Sequence, residues 1–331
     1  MNFIHQQAAH CESGVMAALL SHHGLPISEP MVFGLANALV FAYIPLIKLA
    51  GQPLVSYRLP PKAIIRGLGA RLGLDIRFHT FSSPGQAAQA LDRALAADTP
   101  VGLQTSVFWL PYFPEQMRFH FNAHNLVVYG KDGNDYLISD PIFEEPVRVA
   151  PIHLTKARFA KGPLAPKGLM YTVANVPSSL DYASLIPAAI RKNLRIMTQA
   201  PLPIIGIRGM HWVSRKIRRL GDKGKPEDIA LFLGHLVRMQ EEIGTGGAGF
   251  RFMYASFLEE AGRLLDAPAL LDASLQMTRV GDTWRDFAVQ CVAHSRQREG
   301  SSLDTVAGAL EHCAQQEAAL WQQLKAWLAQ C

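Results

Sequence analysis

Cysteine 11 stands in Ala9-His10-Cys11-Glu12-Ser13-Gly14, where helical periodicity begins. A thiol at a helix N-terminus faces unpaired amide N–H groups and the positive end of the macrodipole, and both stabilise a thiolate. Taken alone, the position is equally compatible with a buried, inert cysteine. His124 directly precedes the run Leu126-Val127-Val128-Tyr129, and Asp140 directly follows Tyr136-Leu137-Ile138-Ser139. A loop rich in Gly, Asp and Asn separates the two runs, which therefore read as a hairpin. With an odd number of residues in the connection, His124 and Asp140 share a face as diagonal neighbours. With a two-residue turn at Asp132-Gly133 they fall on opposite faces. In the first register Asp140 accepts a hydrogen bond from the imidazole, fixes its tautomer and stabilises the imidazolium, while the other ring nitrogen faces the thiol. Gln6 or Gln7 is the candidate donor to a developing oxyanion, a solvated side chain being the other reading.

These residues need a helix and a sheet to hold them. The first helix runs from Cys11 to about His22, where Gly24 and Pro26 stop it, with Val15, Met16, Leu19 and Leu20 on its buried face. Residues 31–47 carry no charged side chain. At about 17 residues this run is at the lower limit for a membrane span, and with Asn37 and Pro45 inside it a buried or ligand-lining helix is expected instead. Pro60-Pro61 opens another helix with Ile64, Ile65 and Leu68 on one side. Strands are expected over 74–81, 101–107 and 169–173, and a helix over 85–97. This order predicts an α+β domain. Past Pro177-Ser178-Ser179 strand patterns are scarce and amphipathic helices dominate to the end. The expected division is therefore 1–177 and 178–331, the second part all-α.

The chain has 331 residues, 49% hydrophobic and 18% charged, with a formal net charge of +5. That composition describes a folded protein long enough for two cores and does not by itself imply nucleic acid. The four cysteines form neither a C-x-x-C pair nor a Cys/His cluster, so no metal site is expected and the thiols are expected to be free. His120 and His124 are four apart but lead into a strand without an acidic third ligand. The N-terminus lacks the basic and apolar regions of a signal peptide, which points to a cytoplasmic, reducing location. Gly244-Thr245-Gly246-Gly247-Ala248-Gly249 matches G-x-G-x-x-G but follows a helix rather than a strand, so it is not read as a dinucleotide site. Arg208, Arg215, Lys216, Arg218, Arg219, Lys223 and Lys225 form a basic run, either a solvated helix face or a surface for an acidic partner.

His10-Cys11-Glu12-Ser13, Phe33-Gly34-Leu35, Phe41-Ala42-Tyr43, His124-Asn125 and Ser139-Asp140-Pro141 together resemble the N-terminal domain of the butirosin biosynthesis protein H family. The resemblance implies a papain-like, C39-peptidase-like fold, with Cys11 as nucleophile and His124 as base; Asp140 as its orienter and Gln6 as oxyanion donor complete the set expected from position. The second part resembles the helical domain often fused to that one. The namesake moves an aminoacyl group from an acyl carrier protein thioester to an aminoglycoside amine. By that resemblance this chain is expected to be an acyltransferase working through a Cys11 thioester. Acyl-phosphopantetheine or acyl-CoA would be its substrate rather than a cofactor, an acyl carrier protein its partner and a small molecule its acceptor. The Gly loop with Arg251 is then a candidate holder of the phosphopantetheine phosphate. A cysteine hydrolase on the same three residues and a non-catalytic binding module are the alternatives.

Overall fold

The computed structural model describes residues 2–49, 51–222 and 224–331; Met1, Ala50 and Lys223 lie outside the described residues. In chain order the elements begin α1 (Cys11–His22), α2 (Glu29–Leu35), β1 (Leu39–Leu49), β2 (Gln52–Arg58), α3 (Ala63–Leu72), β3 (Asp75–His79), α4 (Pro84–Ala96) and β4 (Val101–Thr105). They continue with β5 (His124–Asp132), β6 (Asp135–Ser139), β7 (Val147–Val149), α5 (Pro151–Arg158) and β8 (Met170–Ala174). The α-helices that follow are α6 (Tyr182–Gln199), α7 (Gly206–Arg218), α8 (Pro226–Glu241), α9 (Arg251–Leu264), α10 (Pro268–Ser295) and α11 (Leu303–Leu328).

The chain forms two compact units, and the first is discontinuous: Met1–Val32 with Ile64–Leu180. Its sheet is antiparallel throughout, in the order β3-β8-β4-β5-β6-β7. Helix α1 packs against β5 and is buried over its first ten residues, so it is an interior helix rather than an amphipathic one. Its N-cap is His10, whose side chain accepts the Ser13 N–H. Gly14 lets α1 approach the segment beside Asp140: a Cβ there would lie 2.5 Å from the Ala8 Cβ and 3.0 Å from the Pro141 Cβ. A core of Leu103, Leu126, Val128, Ile138, Val149, Leu154 and their neighbours underlies the sheet.

The second unit comprises Phe33–Ala63 and Asp181–Cys331. From Asp181 onward it is helical, as expected, with α10 packed between α9 and α11. It also takes in the β1–β2 hairpin from the first half of the chain. The division at 177/178 therefore needs correcting: residues 33–63 belong with the helices. The 31–47 run is likewise not one helix. It is the end of α2, a turn, and most of β1. The apolar character is explained by burial: residues 31–43 are all buried. Pro45 falls where the hairpin register shifts, between Ile44 and Lys48, and such an irregularity is one of the positions where a strand tolerates proline. Among the described residues no helix is long and apolar enough to cross a membrane.

Candidate active site

The hairpin that carries His124 and Asp140 has a two-residue turn, Gly133-Asn134, with Gly133 at φ +59°. Such a turn on its own would put the two side chains on opposite faces. A β-bulge corrects the parity: Asp132 pairs with Asp135 and Gly130 with Leu137, but beyond Tyr129 the pairs are Val128 with Ile138 and Val127 with Ser139. Continuing by one residue, Asp140 falls opposite Leu126, two residues from His124 and on its face. Without the extra residue Asp140 would fall opposite Val127. The bulge thus supplies the odd residue that the site needs. Tyr129 itself stacks on Phe3 at 5.2 Å between ring centroids.

Cys11 is the first residue of α1, and its side chain is close enough to His124 to favour the charged imidazole. His124 Nε2 lies 2.7 Å from Asp140 Oδ2, which leaves Nδ1 for the sulfur. The three residues are 7%, 3% and 0% exposed respectively, so their charges interact with little screening. Burial opposes a charged imidazole, yet the Asp140 carboxylate, by field and hydrogen bond, and then Cys11 outweigh it and raise His124 from 6.5 to about 10. The ring is therefore an imidazolium at neutral pH, flanked by a carboxylate and a sulfur.

Two further groups hold Asp140. Tyr112 donates its hydroxyl to Oδ2 at 2.9 Å, and the Ile142 N–H donates to Oδ1 at 3.1 Å. Burial and the adjacent carboxylate raise the Tyr112 phenol well above its ordinary value, so it stays a neutral donor. Arg118 braces the loop that presents Tyr112, donating to the carbonyls of Phe113 at 2.7 Å and Pro111 at 2.6 Å. Phe113 meets the His124 ring edge-on at 5.4 Å. On the other side Glu29 holds the approach to Cys11: its carboxylate accepts the N–H groups of Ala9 and His10, each at 2.8 Å, and the Ser13 hydroxyl at 2.9 Å. Burial raises the Glu29 carboxyl although these three donors pull it down.

The structure thus brings together Cys11, His124 and Asp140 and leaves two predicted residues apart. Gln6 is exposed, and no hydrogen bond among the described residues joins it to the site. Gln7 is exposed as well, reaching the Ile142 carbonyl at 3.4 Å. The Cys11 N–H is one of the first-turn amides of α1 without an intrahelical acceptor. Arg251 is wholly buried in the second unit, donating to Glu317 at 2.8 Å and to the Gly249 carbonyl at 2.7 Å. A guanidinium already neutralised in a core is not offered to a phosphate, and that assignment is withdrawn. Tyr112 and Glu29 were invisible in the sequence because neither stands at an informative spacing from Cys11 or His124. Among the described residues no group of three potential ligands is placed to hold a metal ion.

Residues 10–141 match the family model described as butirosin biosynthesis protein H, N-terminal. Residues 153–324, more than half of the chain, match the model described as domain of unknown function (DUF4872). A crystal structure named as a C39-like peptidase from Bacillus anthracis is similar at 16% identity and a TM-score of 0.37, covering 53% of this chain and 96% of that one. Comparison with curated proteins gave no match.

Proposed function

We propose a function from one premise: the chain belongs to the DUF4872 family and carries, ahead of that region, the N-terminal domain of the butirosin biosynthesis protein H family. It is a papain-like cysteine enzyme, and its reaction is acyl transfer from a carrier-bound or CoA thioester to an amine or alcohol. The observation that carries this reading is the buried line Cys11–His124–Asp140, with the imidazole already charged.

The Cys11 thiolate attacks the thioester carbonyl and forms a C–S bond. The tetrahedral oxyanion takes the Cys11 N–H and the α1 dipole as its stabilisers. Collapse breaks the donor's C–S bond, and the departing thiolate takes the proton from the His124 imidazolium. Neutral His124 then takes a proton from the acceptor as it attacks the acyl-Cys11 carbonyl, and the Cys11 thiolate leaves. The first half-reaction discharges the thiolate–imidazolium pair, and the second restores it. Exchange between thioesters is close to energetically neutral, so positioning and exclusion of water are the enzyme's main tasks.

A carrier partner is supported by charge. Residues 182–221 hold eight Lys and Arg and no acidic residue, although the whole chain is only +5. Arg191, Lys192 and Arg195 on α6 and Arg208, Arg215 and Arg219 at α7 are exposed. Arg218 is engaged by Glu311 at 2.7 Å, and Lys223 lies outside the described residues. A surface of one sign steers an acidic partner.

The test is intact-protein mass spectrometry after mixing the chain with a panel of acyl-carrier and acyl-CoA thioesters. An acyl adduct on wild type, absent from Cys11→Ala, supports the covalent step. Loss of the adduct on adding an amine, with the amide recovered, supports transfer; recovery of free acid instead makes the enzyme a hydrolase. If Cys11 neither accepts an acyl group nor reacts selectively with iodoacetamide near neutral pH, the enzyme reading fails and a binding module replaces it.

A further inference from the structure

With Arg251 excluded, another part of the molecule is better made to hold an anion. The first unit has a cavity of about 570 Å³ between residues 80–82 and 159–167. Phe81 and Phe159 line it with apolar surface, Thr80 and Ser82 with hydroxyls, and Lys161 and Lys167 with positive charge. There is no Asp or Glu from 76 to 91 or from 146 to 180, so neither wall brings an acidic residue of its own. Arg158 adds a third cation close by. It is 3% exposed and donates to the carbonyls of Ala87 at 3.1 Å and Gly168 at 3.2 Å, not to a carboxylate. Asp92, whose field reaches it, is itself engaged by Lys131 at 3.0 Å and Tyr136 at 2.9 Å.

The cavity wall is held in a costly conformation. Leu164 and Lys167 have φ of +57° and +53°, between Gly162 at +104° and Gly168 at +66°. A left-handed backbone at a non-glycine residue is strained, because Cβ crowds the following carbonyl oxygen. Side chains from the catalytic strand region hold the wall: Asn122 donates to the carbonyls of Lys161 at 3.1 Å and Pro163 at 2.8 Å, and Gln104 to that of Leu164 at 3.0 Å. Phe81 N–H to the Lys167 carbonyl, at 3.0 Å, ties one wall to the other. Asn122 is two residues before His124, at most about 7 Å along the chain. An anion held at Lys161 is thereby fixed relative to the catalytic imidazole.

We propose that this cavity is a phosphate-binding site, with Lys161 and Lys167 as its charges, and that it seats the phosphate-bearing arm of the thioester donor. The identity of the ligand rests on the transfer reading above; the anion site does not.

The experiment therefore has two arms. In the first, inorganic phosphate, CoA and acetate are titrated separately into the isotopically labelled full chain, followed by amide NMR. Phosphate and CoA are expected to move resonances of residues 80–82 and 159–167, and Lys161→Ala/Lys167→Ala to abolish the response while Lys161→Arg/Lys167→Arg keeps it. Both lysines are exposed, so the fold is expected to survive, and the thermal melt checks this. No response at these residues to any of the three anions overturns the site; a response to phosphate or acetate but not CoA keeps the anion site and overturns its assignment to the donor. In the second arm, Cys11 acylation by acyl-CoA is compared with acylation by a short thioester lacking phosphate. The double alanine variant is expected to raise KM for acyl-CoA about tenfold and leave the short donor within twofold. Equal effects on both donors overturn the proposal. Failure of both donors to acylate wild type counts against the transfer reading and leaves the first arm to decide the anion site.

Discussion

Each unit buries a close pair of opposite charges, and these two pairs are built for different ends. In the first, His124 Nε2 and Asp140 Oδ2 are 2.7 Å apart, with a thiol on the far side of the ring. In the second, Arg251 Nε and Glu317 Oε1 are 2.8 Å apart, both wholly buried. The guanidinium lies 4.7 Å from the centre of the Trp284 ring, and the Trp284 N–H donates to the same Glu317 oxygen at 2.7 Å. A guanidinium is neither a general acid nor a general base, so that pair offers no proton to a reaction. His124 can give up its proton, and the sulfur beside it can use the change. Burial and short distance are common to both pairs; a titratable partner next to a nucleophile is what marks a reaction site.

The largest expected effect breaks the first pair's purpose without breaking its fold. Cys11→Ala should reduce transfer by at least about 10³-fold, because nucleophile and base act as one unit. Its thermal melt should stay close to wild type, since the change removes one sulfur. Glu317→Ala should do the reverse. It strands a buried guanidinium and should cost about 3–5 kcal/mol in denaturant unfolding, while iodoacetamide labelling of Cys11 in the folded fraction stays at the wild-type rate. Slower labelling in Glu317→Ala would show that the second pair also serves the site.

The candidate site was more legible in the sequence than the fold around it, for a physical reason. Cys11, His124 and Asp140 are marked by local context, a helix start and the two ends of a hairpin. Their meeting, however, depends on the bulge at Tyr129, and a bulge is set by packing on both strands rather than by a residue type. The 31–47 run was legible only as buried. The place of residues 33–47 in the second unit rests on contacts with residues more than 150 positions away, such as Asn37 donating to the Ala189 carbonyl at 2.7 Å and Asn193 to that of Leu39 at 2.7 Å. Arg251 shows the opposite error: a cation after a glycine loop suggests an anion site until Glu317, 66 residues on, is seen to occupy it.

The pH dependence should also separate the two pairs. His124 is raised from 6.5 to about 10, so the folded state holds a proton that the unfolded state releases above 6.5. The resulting stability is complete below about pH 6.5 and is lost as pH rises through about 10. Unfolding free energy measured across this window should fall in wild type and fall much less in Asp140→Asn, which removes the main source of the shift. Glu317→Ala leaves His124 and Asp140 untouched, so it should keep the wild-type profile at a lower level. An equal slope in wild type and Asp140→Asn would mean that His124 is not charged by Asp140.

Tyr112→Phe is the finest of these changes, because it alters the pair without removing either charge. The Tyr112 hydroxyl and the His124 ring share one oxygen of Asp140. Removing the phenol concentrates the carboxylate on the imidazole, so the His124 titration should move upward from about 10, seen in the ring resonances. Stability should fall by about 1.5–3 kcal/mol, the range for a hydrogen bond to a charged group, with no cavity left because the phenyl ring remains. Transfer should slow by no more than about tenfold. A stability loss with an unmoved His124 titration would make Tyr112 a packing residue. An upward shift would make it the group that sets how tightly Asp140 holds the imidazolium, and therefore how readily His124 gives its proton to the departing thiolate.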